Sequence, residues 1–200
     1  MRNVKMTREQ WFNKVAEYCA KRLFKPAGYN VPKNIRYTCG FPSKGALAMR
    51  TQRIGECWSD SASGDNTFEI SVSPVIADGL RAADILVHEM VHATVGLKAG
   101  HKGPFRKCAE AIGLRGKMTA TVASDELKTK LNKIIEEIGP YPHAGLRAGR
   151  TTRAATKGML KLECPCCKAD GERFIVRIGE HSLKRGAPLC PIHNEEMISA

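Results

Sequence analysis

His88 and His92 stand four residues apart in the run His88-Glu89-Met90-Val91-His92. On a helix, positions i and i+4 share one face, so both imidazoles can grip a single metal ion. Glu89 then lies beside that ion, able to take a proton from water activated there. The run is approached through Asp84-Ile85-Leu86-Val87 and continued by Met90, Val91 and Val95, a mostly apolar context that suits a buried helix. A second set of ligand types sits near the C-terminus. Cys164 and Cys167 are spaced C-x2-C, Cys190 and His193 are spaced C-x2-H, and 22 residues separate the pairs. Two such knuckles joined by strands make a zinc ribbon, whose four-ligand site is closed and therefore structural. Cys166 is an alternative to Cys167, with the poorer spacing.

The pentapeptide has the HExxH arrangement of zinc metallopeptidases, in which a catalytic ion takes three protein ligands and leaves one position open. The extended pattern with Gly and His three and six residues after the second histidine is not met, since Val95 and Lys98 occupy those places. Glu110 on a later helix is one candidate third ligand. His101 is the better one, because Gly100-His101-Lys102-Gly103-Pro104-Phe105 reads as a tight loop leading into a helix whose first turn holds Pro104. Such a loop can return one imidazole to the preceding helix.

The elements that must position these groups are readable at coarse grain. Thr7 and Gln10 have capping-box spacing, and Trp11, Phe12, Val15, Tyr18, Cys19, Arg22 and Leu23 follow at helical intervals until Pro26 and Gly28. Residues 35–39, 52–58 and 67–72 read as three short strands between turn formers. Helices are expected from about Leu80 to Val95, Pro104 to Ile112 and Asp125 to Ile138, the last with Leu127, Leu131, Ile134, Ile135 and Ile138 on one face. Residues 145–158 are low in apolar content and carry no acid, as a linker would. Residues 159–200 form a smaller unit in which Phe174–Ile178 reads as a strand.

Composition narrows the class. The chain has 200 residues, 42% hydrophobic and 26% charged, enough to build a core. Its apolar runs fall far short of the roughly 20 residues that span a bilayer. Met1 to Gln10 lacks the apolar stretch of a secretory signal, so a cytoplasmic location is expected, where clustered cysteines hold metal rather than form disulfides. The net charge is +12 and uneven: residues 1–60 carry +8, residues 61–138 are neutral, and residues 139–200 carry +4. Basic flanks around a neutral middle suit contact with a polyanion. Arg147, Arg150, Arg153 and Lys157 in the linker, with Arg173 and Arg177 in the small unit, are the candidate DNA phosphate contacts.

HExxH followed by a short stretch and then Gly100-His101-Lys102-Gly103-Pro104-Phe105 resembles the SprT-like metallopeptidases, among them the Spartan-type proteases that degrade proteins crosslinked to DNA. Over roughly residues 35–195 the chain is similar in more detail to SprT-like proteins of bacteriophages and actinobacteria. Arg53-Ile54-Gly55-Glu56-Cys57-Trp58, Ile70-Ser71-Val72-Ser73-Pro74, Gly116-Lys117-Met118-Thr119-Ala120-Thr121 and Gly139-Pro140-Tyr141-Pro142-His143-Ala144 carry that likeness. The resemblance implies His88, His92 and His101 as ligands of a catalytic zinc and Glu89 as general base. It also implies a C-terminal ribbon on Cys164, Cys167, Cys190 and His193 around a structural zinc. For the basic N-terminal helix it implies no role.

The expected architecture is α+β. Residues 1–144 make a metallopeptidase domain, with residues 1–28 its N-terminal helix. In it a small antiparallel sheet packs on a zincin-type active-site helix. Linker 145–158 and ribbon 159–200 follow. The expected function is zinc-dependent proteolysis of DNA-associated or DNA-crosslinked proteins, in the host cytoplasm if the chain is phage-encoded. A non-proteolytic DNA-binding or transcription-associated zinc protein is the alternative, and Glu89 argues against it, because a structural zinc needs no base. An oxyanion donor is not identified; Tyr141 and His143 are candidates, though packing of their proline-flanked segment is the expected role. Cys39, Cys57 and Cys108 are expected as small core residues.

Overall fold

The computed structural model describes residues 6–48, 52–148 and 159–200. They divide into two compact units, 1–148 and 149–200. Arg150, Arg153 and Lys157 lie outside the described residues. Leu146 N–H donates to Pro74 O at 2.7 Å, which fixes the first residues of the expected linker on the first unit.

The first unit is α+β. Helix α1 (Arg8–Cys19) starts at a capping box: Gln10 N–H donates to Thr7 Oγ1 at 3.2 Å and Thr7 N–H to Gln10 Oε1 at 2.9 Å. A π-turn (Ala20–Phe24) extends it, and the continuous stripe Trp11, Phe12, Val15, Cys19, Leu23 and Phe24 is buried. Trp11 Nε1–H donates to Gly139 O at 2.9 Å, and its ring lies 4.7 Å from that of Tyr141. The N-terminal helix is thus part of the main core.

Strands β1 (Ile35–Cys39), β2 (Gly55–Trp58) and β3 (Phe68–Val72) form one sheet in the order β1-β3-β2. The antiparallel expectation is corrected at one pairing: β2 runs antiparallel to β3, but β1 runs parallel to it. The reason lies in the connection after β1. The 15 residues between β1 and β2 exceed the length needed for two strand spacings, roughly 10 Å, and β2 lies on the far side of β3 from β1. Ile70 and Val72 of the central strand are fully buried against the helices.

Helix α2 (Gly79–Val95) is the centre of the unit, touching β2, β3, α1 and the two helices that follow it. Asp78 caps it by accepting from Arg81 N–H at 2.7 Å, and Gly96, at φ +84°, ends it. Ala82, Ala83, Leu86, Val87, Met90 and Val91 are all fully buried, so this helix is core on nearly every face. Helix α3 (Gly103–Ile112) holds Pro104 in its first turn and stops at Gly113, φ +102°. A hairpin of β4 (Leu114–Lys117) and β5 (Ala120–Ala123) follows, then α4 (Asp125–Ile138), capped by Ser124 and buried along Leu127, Leu131 and Ile134.

The second unit is a three-stranded antiparallel sheet, β6 (Leu160–Glu163), β7 (Ile175–Ile178) and β8 (Ile198–Ser199), in the order β7-β6-β8. Two short helices, α5 (Pro165–Ala169) and α6 (Glu180–Leu183), complete it. Among its described residues only Leu162, Cys164, Cys167, Cys190 and Met197 are buried and apolar, a core too small to hold 40 residues by burial alone. Among the described residues no helix is long and apolar enough to cross a membrane.

Candidate functional site

Helix α2 carries His88 and His92 on one face, one turn apart. The chain then leaves through Gly96, a 3-10 turn at Leu97–Ala99 and Gly100, at φ +52°. Positive φ at both glycines lets so short a segment reverse and bring His101 back to the helix. His101 Nε2 lies 3.2 Å from His92 Nε2 and 3.3 Å from His88 Nε2.

Three ring nitrogens converge there with no carbonyl or carboxylate among them. Lone pairs packed so closely repel unless a cation stands between them. Ligand bonds of about 2.0–2.1 Å in a tetrahedral zinc site would set nitrogens about 3.3–3.4 Å apart, which matches the observed separations. The three residues fit a divalent ion.

The surroundings keep these rings neutral and fixed. Burial pushes the His88 imidazole down to about 3 and that of His92 to about 4, helped by the neighbouring rings. Burial lowers His101 as well. With His88 Nε2 facing its partners, Nδ1 carries the ring proton and donates it to Thr121 Oγ1 on β5 at 2.7 Å. Phe105 of α3, fully buried, lies under all three imidazoles, with ring centroids 5.0, 4.5 and 4.9 Å from those of His88, His92 and His101.

Glu89 points to the other side of the helix face, beneath strand β2. It is 7% exposed, and burial raises its carboxyl to about 8, with Arg53 opposing the rise. A bound divalent cation would oppose it further. A cavity of about 410 Å³ opens over His88, Glu89, His92 and His101, bounded by Arg53 and Glu56. A smaller one of about 160 Å³ shares Arg53, His88 and Glu89 and reaches Thr121. Glu89 has a carboxylate, a water-accessible volume and the imidazole cluster within one pocket, which is what water activation needs.

Other candidates fall elsewhere. Glu110 is exposed on α3 and pairs with Arg106 at 3.6 Å, apart from the imidazole cluster. Tyr141 packs on Trp11 and Phe12 with its hydroxyl 3.7 Å from Cys39 Sγ, and a ring N–H of His143 donates to Pro74 O at 2.7 Å. Both pack the 139–146 segment and neither lines the cavity. Cys19 and Cys108 are fully buried, and burial pushes their thiols up to about 12. Cys57, half-buried, lines the cavity, its thiol likewise raised to about 12 by burial.

In the second unit, Cys164, Cys167, Cys190 and His193 form the other group able to hold a metal. Cys167 Sγ is 3.8 Å from Cys190 Sγ and 3.4 Å from His193 Nδ1, and Cys164 Sγ is 3.7 Å from the same nitrogen. Sulfurs bound at about 2.3 Å in a tetrahedral site stand about 3.8 Å apart, so this set also fits an ion. His193 Nε2 faces Asp170 Oδ2 at 3.5 Å, a carboxylate that can orient the ring from behind. Cys166 is outside the group. Of the basic candidates, Arg173 is paired with Glu163 at 3.2 Å, alongside Lys168, while Arg147 and Arg177 are exposed.

Three positions that shape the site escape sequence reasoning: Thr121, Phe105 as the floor of the imidazoles, and Gly55. A Cβ added at Gly55 would stand 2.5 Å from Glu89 Oε1 and 2.6 Å from Ile85 Cγ2. The only trace of these in the sequence is that each lies within a segment that resembles the SprT-like pattern. No family model matches the chain, and no curated protein or solved structure matches it.

Proposed function

We propose that the chain is a zinc-dependent endopeptidase of the SprT-like type, acting on proteins bound or crosslinked to DNA. The observation that carries this reading is the convergence of His88, His92 and His101 through their Nε2 atoms beside a buried carboxylate in one open cavity. In this reading α2 is a zincin-type active-site helix. His88, His92 and His101 hold a catalytic zinc, and Cys164, Cys167, Cys190 and His193 hold a structural one in a ribbon.

Zinc, when bound, supplies Lewis acidity and makes water a nucleophile near neutral pH. The chain's own residues do the rest. The carboxylate of Glu89 takes one proton from the attacking water and later delivers it to the departing amide nitrogen. Thr121 fixes the ring of His88, and Phe105 keeps the three imidazoles from collapsing inward. Arg147 and Arg177, with the basic linker, would meet DNA through phosphates and so concentrate substrate.

The test is cleavage of a DNA-binding protein by the zinc-loaded chain, with and without single-stranded DNA, beside Glu89→Gln. DNA-stimulated cleavage is expected, and the variant should keep its zinc and lose roughly 10²-fold or more in rate. Two zinc ions per chain with no cleavage in any condition would favour a DNA-binding zinc protein without proteolysis.

A further inference from the structure

The hydrolytic reading requires a donor for the carbonyl oxygen that becomes negative when water adds, and the structure offers one. Arg53 lines both cavities that meet at Glu89, and its positive charge is felt by Glu89 and by His101. Its side chain is about half exposed. Its backbone N–H donates to Gly45 O at 3.1 Å, which anchors Arg53 two residues before strand β2.

One carboxylate holds the guanidinium. Arg53 Nη1–H donates to Glu56 Oε1 at 2.8 Å. Among the described residues, Glu56 is the ion-pair partner of Arg53, and the other guanidinium N–H groups have no hydrogen-bond partner. Glu56 is itself fixed from three more directions. It accepts from Ser43 N–H and Ser43 Oγ–H, both at 2.8 Å, and from Trp58 Nε1–H at 3.0 Å. Four donors on one carboxylate that is only 10% exposed make a rigid post. An arginine held by one carboxylate, with its other N–H groups unpaired among the described residues and its side chain lining the cavity that Glu89 also lines, is prepared for an anion that forms there.

We propose that Arg53 is a catalytic residue that stabilises the oxyanion, and that Glu56 is the residue positioning it; the inference rests on the hydrolytic reading above. The water oxygen bonds to the scissile carbon, the C=O pair moves onto the carbonyl oxygen, and one water proton goes to Glu89. Arg53 donates hydrogen bonds to that oxygen. The C=O bond then re-forms as the C–N bond breaks, and nitrogen leaves with its electron pair and the proton held by Glu89. The products are a carboxylic acid and an amine.

The experiment uses the zinc-loaded full chain and its Arg53→Ala, Arg53→Lys and Glu56→Gln variants. Turnover of fluorescent casein is measured together with calorimetric binding of N-phosphoryl-leucyl-tryptophan, whose anionic phosphoryl oxygens imitate the charged intermediate. Arg53→Ala should lower kcat about 10²–10³-fold with KM within threefold, and should weaken the phosphoryl dipeptide by at least about 10²-fold with zinc content unchanged. Added guanidinium should restore part of kcat in Arg53→Ala. Arg53→Lys should fall between wild type and Arg53→Ala, and Glu56→Gln should lower kcat without moving KM or the melting temperature.

An unchanged kcat, or a loss carried wholly by KM, overturns the assignment. A wild-type chain that cleaves neither casein nor a DNA-binding protein in the presence of single-stranded DNA, but binds the phosphoryl dipeptide through Arg53, sinks the protease reading while keeping the anion site. Failure to cleave together with no binding of that dipeptide overturns both.

Discussion

Gly55 of β2 lies directly against the carboxylate of Glu89, so closely that a methyl group at position 55 would sit 2.5 Å from Glu89 Oε1. The strand edge and the helix meet at this point with no side chain between them. The same methyl would stand 2.6 Å from Ile85 Cγ2, a short branched chain with little room to retreat. Gly55→Ala is therefore expected to displace the Glu89 carboxylate and overpack the interface. Destabilisation of about 1–3 kcal/mol is typical of overpacking, or a fall in Tm of roughly 2–4 °C per kcal/mol for a chain of this size. Proteolysis should drop far more than stability, with zinc bound at His88, His92 and His101 unaffected. Melting curves, zinc content and casein turnover on one preparation check all three parts.

Thr121 predicts an effect on affinity rather than on fold. Its hydroxyl accepts from His88 Nδ1–H, nitrogen to oxygen 2.7 Å, and the residue is buried. Thr121→Val keeps the shape and removes the acceptor, so the affinity for the first metal should fall about 10–100-fold. Thr121→Ser should restore most of it. Competition against a chromophoric chelator, with the Cys164, Cys167, Cys190 and His193 group pre-filled, gives the number.

How far the sequence revealed this arrangement follows from where its information lies. The HExxH run, the loop bearing His101 and the two knuckles are local patterns, with ligands a few residues apart on one element or turn. They were readable, as were helices 103–112 and 125–138, whose apolar faces repeat at helical period. The parallel pairing of β1 with β3 was not, because strand order is a tertiary choice that no local pattern encodes. The hairpin of β4 and β5 was missed for another reason. Its turn residues Met118 and Thr119 carry no turn signature, and the positive φ falls on Gly116 inside the strand. Thr121, Phe105 and Gly55 reach the imidazoles or Glu89 only through tertiary packing, which residue type and spacing do not encode.

The second unit should depend on its metal. Its few buried apolar groups are mostly the ligands themselves, so a chelator should unfold residues 159–200 while the first unit keeps its helical signal. Amide hydrogen exchange resolved by segment distinguishes the two. Cys167→Ser should reproduce the loss in the presence of zinc, whereas Cys166→Ser, outside the ligand group, should leave protection intact.

The N-terminal helix supplies the last prediction. Although its sequence is basic, Trp11, Phe12, Val15, Cys19 and Phe24 are completely buried. Trp11 ties α1 to the end of α4 through Gly139 and packs against Tyr141, so it joins α1 to the stretch 139–141. Removing a buried indole costs about 3–5 kcal/mol in cores of this kind. Trp11→Ala should therefore lower the melting temperature of the first unit by roughly 10 °C, at about 2–4 °C per kcal/mol. Trp11→Phe should cost less, losing the hydrogen bond and part of the ring. Deletion of residues 1–28 should prevent folding outright, because the apolar faces of α2 and α4 that α1 covers would be bared. A truncated chain that folds, binds metal and melts at the wild-type temperature would show α1 to be dispensable to the core.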